Sequence, residues 1–308
     1  MSNPRVPYAI GDDRPQLQAP APGKNVIVSI ALNVEHWSLD RPMPRKIITS
    51  PHGRDHVPDV PNFSWAEYGM RRGLPRLVEL IRGRGLPASV NMNASVISAY
   101  PQAAELLLDT GWEFVGHGVD QQVLADAPDE RAVIRQALED LASFSGRPVR
   151  GWLGPGLQET AHTPDLLAEC GVDYVCDWVL DEVPVWLHAT PKPLVAVPYS
   201  LDLNDSVVYA VEHHSSPELY RRVADTLRSY DEEGAGQPIV VSLPIHPHLV
   251  GARHRLPYFR EVLDLLQQRE DTVFLTGSEI CDWFLAQQDE TGAGHRADGS
   301  AKEPVPLE

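Results

Sequence analysis

The stretch VIVSIALNVE, Val26 to Glu35, decides how the rest of the chain reads. Val26 to Leu32 is an apolar, β-branched run long enough for one buried strand. It runs out into Asn33 and Glu35, which lie two residues apart and therefore point the same way. A carboxylate at a strand end, amid apolar neighbours, suits a general base or a metal ligand. A surface Glu paired with a nearby Arg is the plainer reading, and the apolar run before it argues against full exposure.

Working outward, the same arrangement repeats. Short apolar runs are expected as strands at 88–92, 113–115, 149–153, 173–176, 238–243 and 272–275. Between them come helical patterns at 101–109, 129–144, 163–170, 216–232, 257–268 and 277–286, and one carrying Leu74, Leu77, Val78 and Ile81 on a single face. The runs 195–197 and 206–210 read as a local hairpin. Strands alternating with helices of this length argue for a parallel sheet. No Gly-rich phosphate turn follows the first strand, so the expected fold is an α/β, distorted (β/α)7 barrel rather than an open dinucleotide-type sheet. In such a ring the C-terminal strand ends open onto one face, where active sites sit.

Residues 1–24 carry five prolines and read as an irregular arm, 25–287 as the barrel domain, and 288–308 as a polar tail. Residues 38–62 carry five more prolines and read as a long loop over the first strand's end. The arm and this loop hint at contacts in a homo-oligomer.

The chain has 308 residues, 43% hydrophobic and 22% charged, with material for a sizeable core. A net charge of −17 repels phosphate backbones and anionic lipids, so neither nucleic acid nor a membrane is an expected partner. No apolar run approaches the roughly 20 residues that cross a bilayer, and the start of the chain lacks a secretory pattern. A cytoplasmic location is the expectation. Three cysteines, Cys170, Cys176 and Cys281, have neither metal nor redox spacing and read as buried thiols.

The expected strand ends collect the reactive residues. His117 sits between Gly116 and Gly118, which leave room for an imidazole near a substrate. Trp152 to Gly156 is a turn whose amides, Gly154 included, could face a developing oxyanion. In SLPIHPH, 242–248, the prolines pre-set the direction of His246, read as a rigid general acid. His248 and Asp177 are placed on the same rim. Asp205, after Asn204, has the look of an Asx turn. Trp37, Trp65, Tyr68, Trp152 and Trp178 could wall a flat ring, although single aromatics more often pack a core. Arg71 would steer a substrate carbonyl or carboxylate, with an internal ion pair an equal alternative.

Taken together, these residues resemble the polysaccharide deacetylase (NodB homology) family over roughly residues 26–286. That family's usual first strand ends in two aspartates, a base and a metal ligand; Asn33 and Glu35 stand there. His117 matches the first histidine of the metal motif and Gln121 stands at the second. The usual arginine is missing from the 151–156 turn, and His246 matches the catalytic acid. The segment Trp65-Ala66-Glu67-Tyr68-Gly69-Met70-Arg71 is similar to a stretch in the branch of metal-independent allantoinases and cyclic-imide hydrolases. The resemblance implies a hydrolase of non-peptide C–N bonds in a small amide, cyclic imide or ureide. Glu35 or His117 would activate water, Asn33 and the turn amides would steady the oxyanion, and His246 would protonate the leaving nitrogen. Gln121 would help to bind substrate.

No cofactor is expected. Zinc stays open on Glu35, His117 and Gln121, but an amide oxygen is a poor partner for it. Two alternatives stand beside the leading reading: a metal-dependent N-deacetylase of an acetylated sugar or polysaccharide, and a non-catalytic small-molecule binder on the same barrel. All of these depend on Glu35, His117 and His246 meeting at the rim.

Overall fold

In this computed structural model the described residues are 5–6, 16–49, 53–234 and 236–290, with side chains to Gln287. The expected tail over 288–308, apart from its helical backbone to Glu290, and most of the arm over 1–24 lie outside them. One nine-stranded sheet organises the rest. Its strands are β1 (Val26–Val34), β2 (Ser89–Met92), β3 (Glu113–Gly116), β4 (Gly151–Trp152), β5 (Tyr174–Val175), β6 (Val185–Leu187), β7 (Leu194–Ala196), β8 (Ile239–Ile245) and β9 (Thr272–Phe274). They lie in the order β6-β7-β5-β4-β3-β2-β1-β8, with β9 also on β1. Every pairing is parallel except β6 with β7.

β1 is the axis of this sheet, and all nine of its residues are buried. β8 runs along one edge from Val26 to Leu32, while β9 and β2 share the other, at 26–28 and 31–34. A strand with both edges and both faces covered has no exposed side for polar residues, which explains its unbroken apolar sequence. The sheet curls until the free edge of β8 meets the segment before β6, where the Val240 amide donates to the Glu182 carbonyl at 2.8 Å. The result is the distorted barrel expected from the sequence.

Helices cover the outside: α1 (Val60–Tyr68), α2 (Leu74–Arg82), α3 (Val96–Ala99), α4 (Pro101–Leu108), α5 (Glu130–Ser145), α6 (Thr163–Glu169), α7 (Glu218–Glu232), α8 (Leu256–Gln268) and α9 (Gly277–Glu290). α2 buries Leu74, Leu77, Val78, Leu80 and Ile81, one stripe at helical spacing. Asp59 accepts from the Asn62 amide at 3.4 Å, and Pro61 suits the first turn. These two residues start α1 inside the stretch expected to be loop through residue 62.

The hairpin is misplaced in the sequence reading. Val185–Leu187 pairs with Leu194–Ala196, whereas 207–211 is a single wide helical turn. A short apolar run such as SVVYA fits a buried helix turn as well as a strand, and periodicity cannot separate them. Here the Asn204 side chain accepts from the Ser206 amide at 2.8 Å and bends the chain out of extended geometry.

Register aligns the strand ends. Val34, Met92, Gly116, Trp152, Val175 and Ala196 form one continuous row across the sheet, and Ile245 sits level with Leu32. The residues immediately beyond that row, including Glu35, Asn93, His117, Leu153 and His246, must therefore share one rim.

Candidate active site

A cavity of about 600 Å³ opens at this rim, a size that suits a small molecule. Asn33, Glu35, Trp37, His117, Gln121, Asp177, His246 and His248 all line it. Glu35 is the hub. Its Oε2 accepts from Trp37 Nε1 at 2.6 Å and its Oε1 from Gln121 Nε2 at 3.0 Å. The same Oε1 lies 3.6 Å from His117 Nε2 and 3.5 Å from His246 Nε2. Residues more than 200 positions apart thus meet within touching range.

Burial alone would raise the Glu35 carboxyl. Contact with the His117 imidazole, whenever its ring is protonated, and with the His246 imidazole outweighs that and holds it well below the usual carboxylate range. His246 is the complementary group. Burial would lower it, but the Asp205 carboxylate, helped by Glu35, raises it to about 10. Asp205 is fully buried; its Oδ1 lies 2.6 Å from His246 Nδ1, and its Oδ2 accepts from the His246 and Val250 amides at 2.8 and 3.1 Å. The Asx turn belongs to Asn204, and Asp205, expected to face substrate, instead orients the imidazole: it lies behind His246 and does not line the cavity.

His117 is buried, and its Nδ1 lies 2.6 Å from the Leu153 carbonyl. A carbonyl only accepts, so Nδ1 carries the proton. In the neutral ring Nε2 then points a lone pair into the cavity, and no protein group satisfies it. Nε2 and Glu35 Oε1 are two acceptors facing one gap, which calls for a guest that donates hydrogen bonds.

The side-chain amides around this gap are fixed by backbone anchors. The His36 amide donates to Asn93 Oδ1 at 2.9 Å, which turns Asn93 Nδ2 towards the His117 carbonyl and Gln121 Oε1, the latter at 3.1 Å. Gln121 consequently shows Glu35 its NH₂ and turns its oxygen away. That orientation bears on the metal set offered by the sequence. Of the set Glu35, His117 and Gln121, the third presents donors where a metal needs a lone pair. Among the described residues no group of three or more His, Cys, Asp and Glu is arranged to hold an ion. The donor set does not fit zinc.

Asn33 is similarly committed. Its Oδ1 accepts from Asn91 Nδ2 at 3.0 Å and from the Tyr199 hydroxyl at 3.1 Å, while its Nδ2 faces the Ile245 and Ala31 carbonyls at 3.3 and 3.4 Å. These bonds aim the NH₂ at backbone carbonyls, so the oxyanion role expected of Asn33 has no free donor. The Gly154 amide is also taken, donating to both oxygens of Asp177 at 2.8 and 2.9 Å. Burial, reinforced by the charge of Glu159, pushes the Asp177 carboxyl well above its ordinary range.

Other expected substrate contacts fall outside the cavity. Trp152 is fully buried and packs on Gly116. Tyr68 and Arg71 do not line the cavity; Arg71 donates to Glu67 Oε2 at 2.8 Å across one helical turn. Trp178 donates to Glu159 at 2.8 Å, over a neighbouring depression. Trp65 stands one layer back, its ring centroid 4.5 Å from that of His248. His248 is held neutral: burial, then the charge of His246, lowers it to about 3.

The Glu67–Arg71 segment serves packing instead. A Cβ at Gly69 would lie 2.5 Å from the His248 backbone nitrogen, and one at Gly73 would lie 1.8 Å from the Pro247 carbonyl oxygen. Only glycine lets this turn press against the loop that carries His246 and His248. Asn91, Asn93, Tyr199 and Arg45 escaped the sequence reading. The pair Asn91 and Asn93 repeats at the end of β2 the two-residue spacing of Asn33 and Glu35, a detectable signal. Tyr199 and Arg45 sit in aperiodic segments and carry none.

A parallel barrel with a buried carboxylate and two imidazoles at its C-terminal rim defines a hydrolase-type site. The family model described as polysaccharide deacetylase matches residues 66–175, and the fold is the distorted (β/α) barrel of NodB-homology type. A peptidoglycan deacetylase of Helicobacter pylori is 22% identical over 266 residues, covering 76% of this chain and 90% of that protein. Among solved structures, PuuE allantoinase superposes with a TM-score of 0.81 at 22% identity, covering 93% of this chain and 98% of that one. A probable polysaccharide deacetylase of Pseudomonas aeruginosa PAO1 gives 0.79 at 23%, covering 92% and 99%. Among the described residues no helix is long and apolar enough to cross a membrane.

Proposed function

We propose that this protein is a metal-independent hydrolase of a non-peptide C–N bond in a small amide, cyclic imide or ureide. One observation carries the reading: an unsatisfied His117 Nε2 and an ionised Glu35 face the same gap as the proton-bearing His246 Nε2. A carboxylate held so far below neutrality is a weak base, whereas a neutral imidazole is a competent one. In this reading a water donates to Glu35 and to His117. As its oxygen bonds to the substrate carbon, His117 Nε2 takes one of its protons. His246 Nε2–H then gives a proton to the departing nitrogen as the C–N bond breaks. Asp205 and Glu35 keep His246 charged until that moment, two opposed groups with environments that push their pKa values apart.

The likeness to an allantoinase agrees with C–N hydrolysis of this kind, and the Gln121 orientation agrees with chemistry that needs no zinc. The family description and the peptidoglycan deacetylase relative favour the second reading, a metal-dependent sugar deacetylase. Elemental analysis of the purified protein, run beside turnover of cyclic ureides and N-acetyl sugars, separates them. Stoichiometric zinc with deacetylation, lost on chelation, would overturn the first reading. Near-native turnover of ureides in Glu35→Gln, His117→Ala and His246→Ala alike would overturn the residue roles.

A further inference from the structure

We infer that Arg45 is the specificity-determining residue of this cavity and that the substrate carries a carboxylate or similar oxyanion for it to bind. The inference rests on the hydrolase reading for the identity of the site and adds the chemical class of what enters.

Three cations lie close together in the loop after β1. Arg41 pairs with Asp120 at 3.1 Å, and Lys46 pairs with Asp55 at 2.5 Å. Arg45, between them, has no hydrogen bond or ion pair with any described residue, yet it is half-buried and lines the catalytic cavity. Arg72 and Arg82 are also unpaired among the described residues but exposed, whereas Arg45 is half-buried at the cavity. The carboxylates near it are committed. Glu35 is matched by His246, and both Asp177 oxygens accept from Gly154. The Arg45 charge reaches His248, which places it on the catalytic side of the loop.

Guanidinium is a planar fork of donors that matches a carboxylate two bonds at a time, and it remains charged at any working pH. Held at the cavity mouth, it also draws an anion towards a protein whose overall field repels it. Apolar Val123, Leu157, Val179 and Leu201 line the same cavity. The shape that fits is a small ring or chain with the scissile C–N bond at one end and an anionic group at the other.

The test uses the full chain and two probes that differ only in charge, hydantoin-5-acetate and its methyl ester, at pH 7. Calorimetric affinity and steady-state turnover are measured on the native protein, Arg45→Gln and Arg45→Lys. A charge-assisted bond predicts that the native protein prefers the acetate by about tenfold to a hundredfold. The preference should collapse in Arg45→Gln, survive in part in Arg45→Lys, and weaken with salt; melting curves confirm that all three are folded. A native preference near one, or one unchanged in Arg45→Gln, overturns the inference. If both probes are hydrolysed without preference, the inference falls and the hydrolase reading stands. If the Arg45-dependent preference is present without hydrolysis, the reverse holds. Neither binding nor hydrolysis would count against both.

Discussion

The two ends of the barrel each hold a hydrogen-bonded glutamate, and they treat it differently. At the N-terminal end Glu113 is saturated: Tyr174 and Ser278 hydroxyls donate to Oε1, and the Ser89 hydroxyl and Ser278 amide donate to Oε2 at 2.9 and 3.2 Å. Ser89 in turn accepts from the Gly277 amide at 2.8 Å. At the C-terminal rim Glu35 has two protein donors and two imidazoles at longer range, and His117 Nε2 has no partner. A closed network spends every donor on cohesion. An open one beside a cavity keeps capacity for a guest. Buried polar groups are ordinarily satisfied, and of the unpartnered ones among the described residues only His117 Nε2 belongs to a residue that lines the cavity.

Four experiments would break or sharpen that contrast, beginning with the largest effect. His117→Ala and His246→Ala should each lower kcat/KM by about 10²- to 10⁴-fold, the usual share of a general base or acid, in steady-state assays on responsive ureides. Glu113→Ala should do the opposite, losing about 3 kcal/mol in urea unfolding as several buried donors lose their acceptor, while turnover per folded molecule holds. Equal effects of both kinds at both ends would dissolve the distinction. Gly73→Ala should cost about 2 kcal/mol, because a methyl against the Pro247 carbonyl forces the His246 loop outward. Its activity should fall along with its melting temperature.

The smallest effect is the most diagnostic. His246 must be protonated to act as the acid, so activity should fade as pH rises through about 10. Asp205→Asn should move that alkaline limb down by about one unit or more, read from kcat/KM against pH. The linked stability has a definite sign. A histidine raised from 6.5 to about 10 stabilises the fold fully below 6.5 and loses that contribution as pH climbs through 10. Glu35 works the other way, its depressed carboxyl supporting the fold above 4.5 and losing support under acid. In Asp205→Asn the loss of stability between pH 6.5 and 10 should flatten.

Much of this was legible before any coordinates. The apolar run of β1, the helical stripe of α2 and the glycine-flanked His117 carry their structural meaning in local spacing. So the barrel and three of its rim residues, Glu35, His117 and His246, follow from the chain read in order. Local spacing fails where one side chain's role depends on another far away. Asp205 reads as a turn residue until His246, 41 positions later, is seen to lie on it. Tyr68 and Arg71 sit in a motif that looks like recognition, and only packing shows that Gly69 within it and Gly73 just beyond it are the essential residues. Gln121 could have faced either way until the His36 amide, acting through Asn93, fixed its oxygen.

The sequence by itself determined where strands end and which reactive side chains stand there, because backbone periodicity and burial are short-range properties. Tertiary structure alone decided which donors and acceptors remained unspent. That depends on partners brought together by register and curl, and no reading of neighbours along the chain contains it.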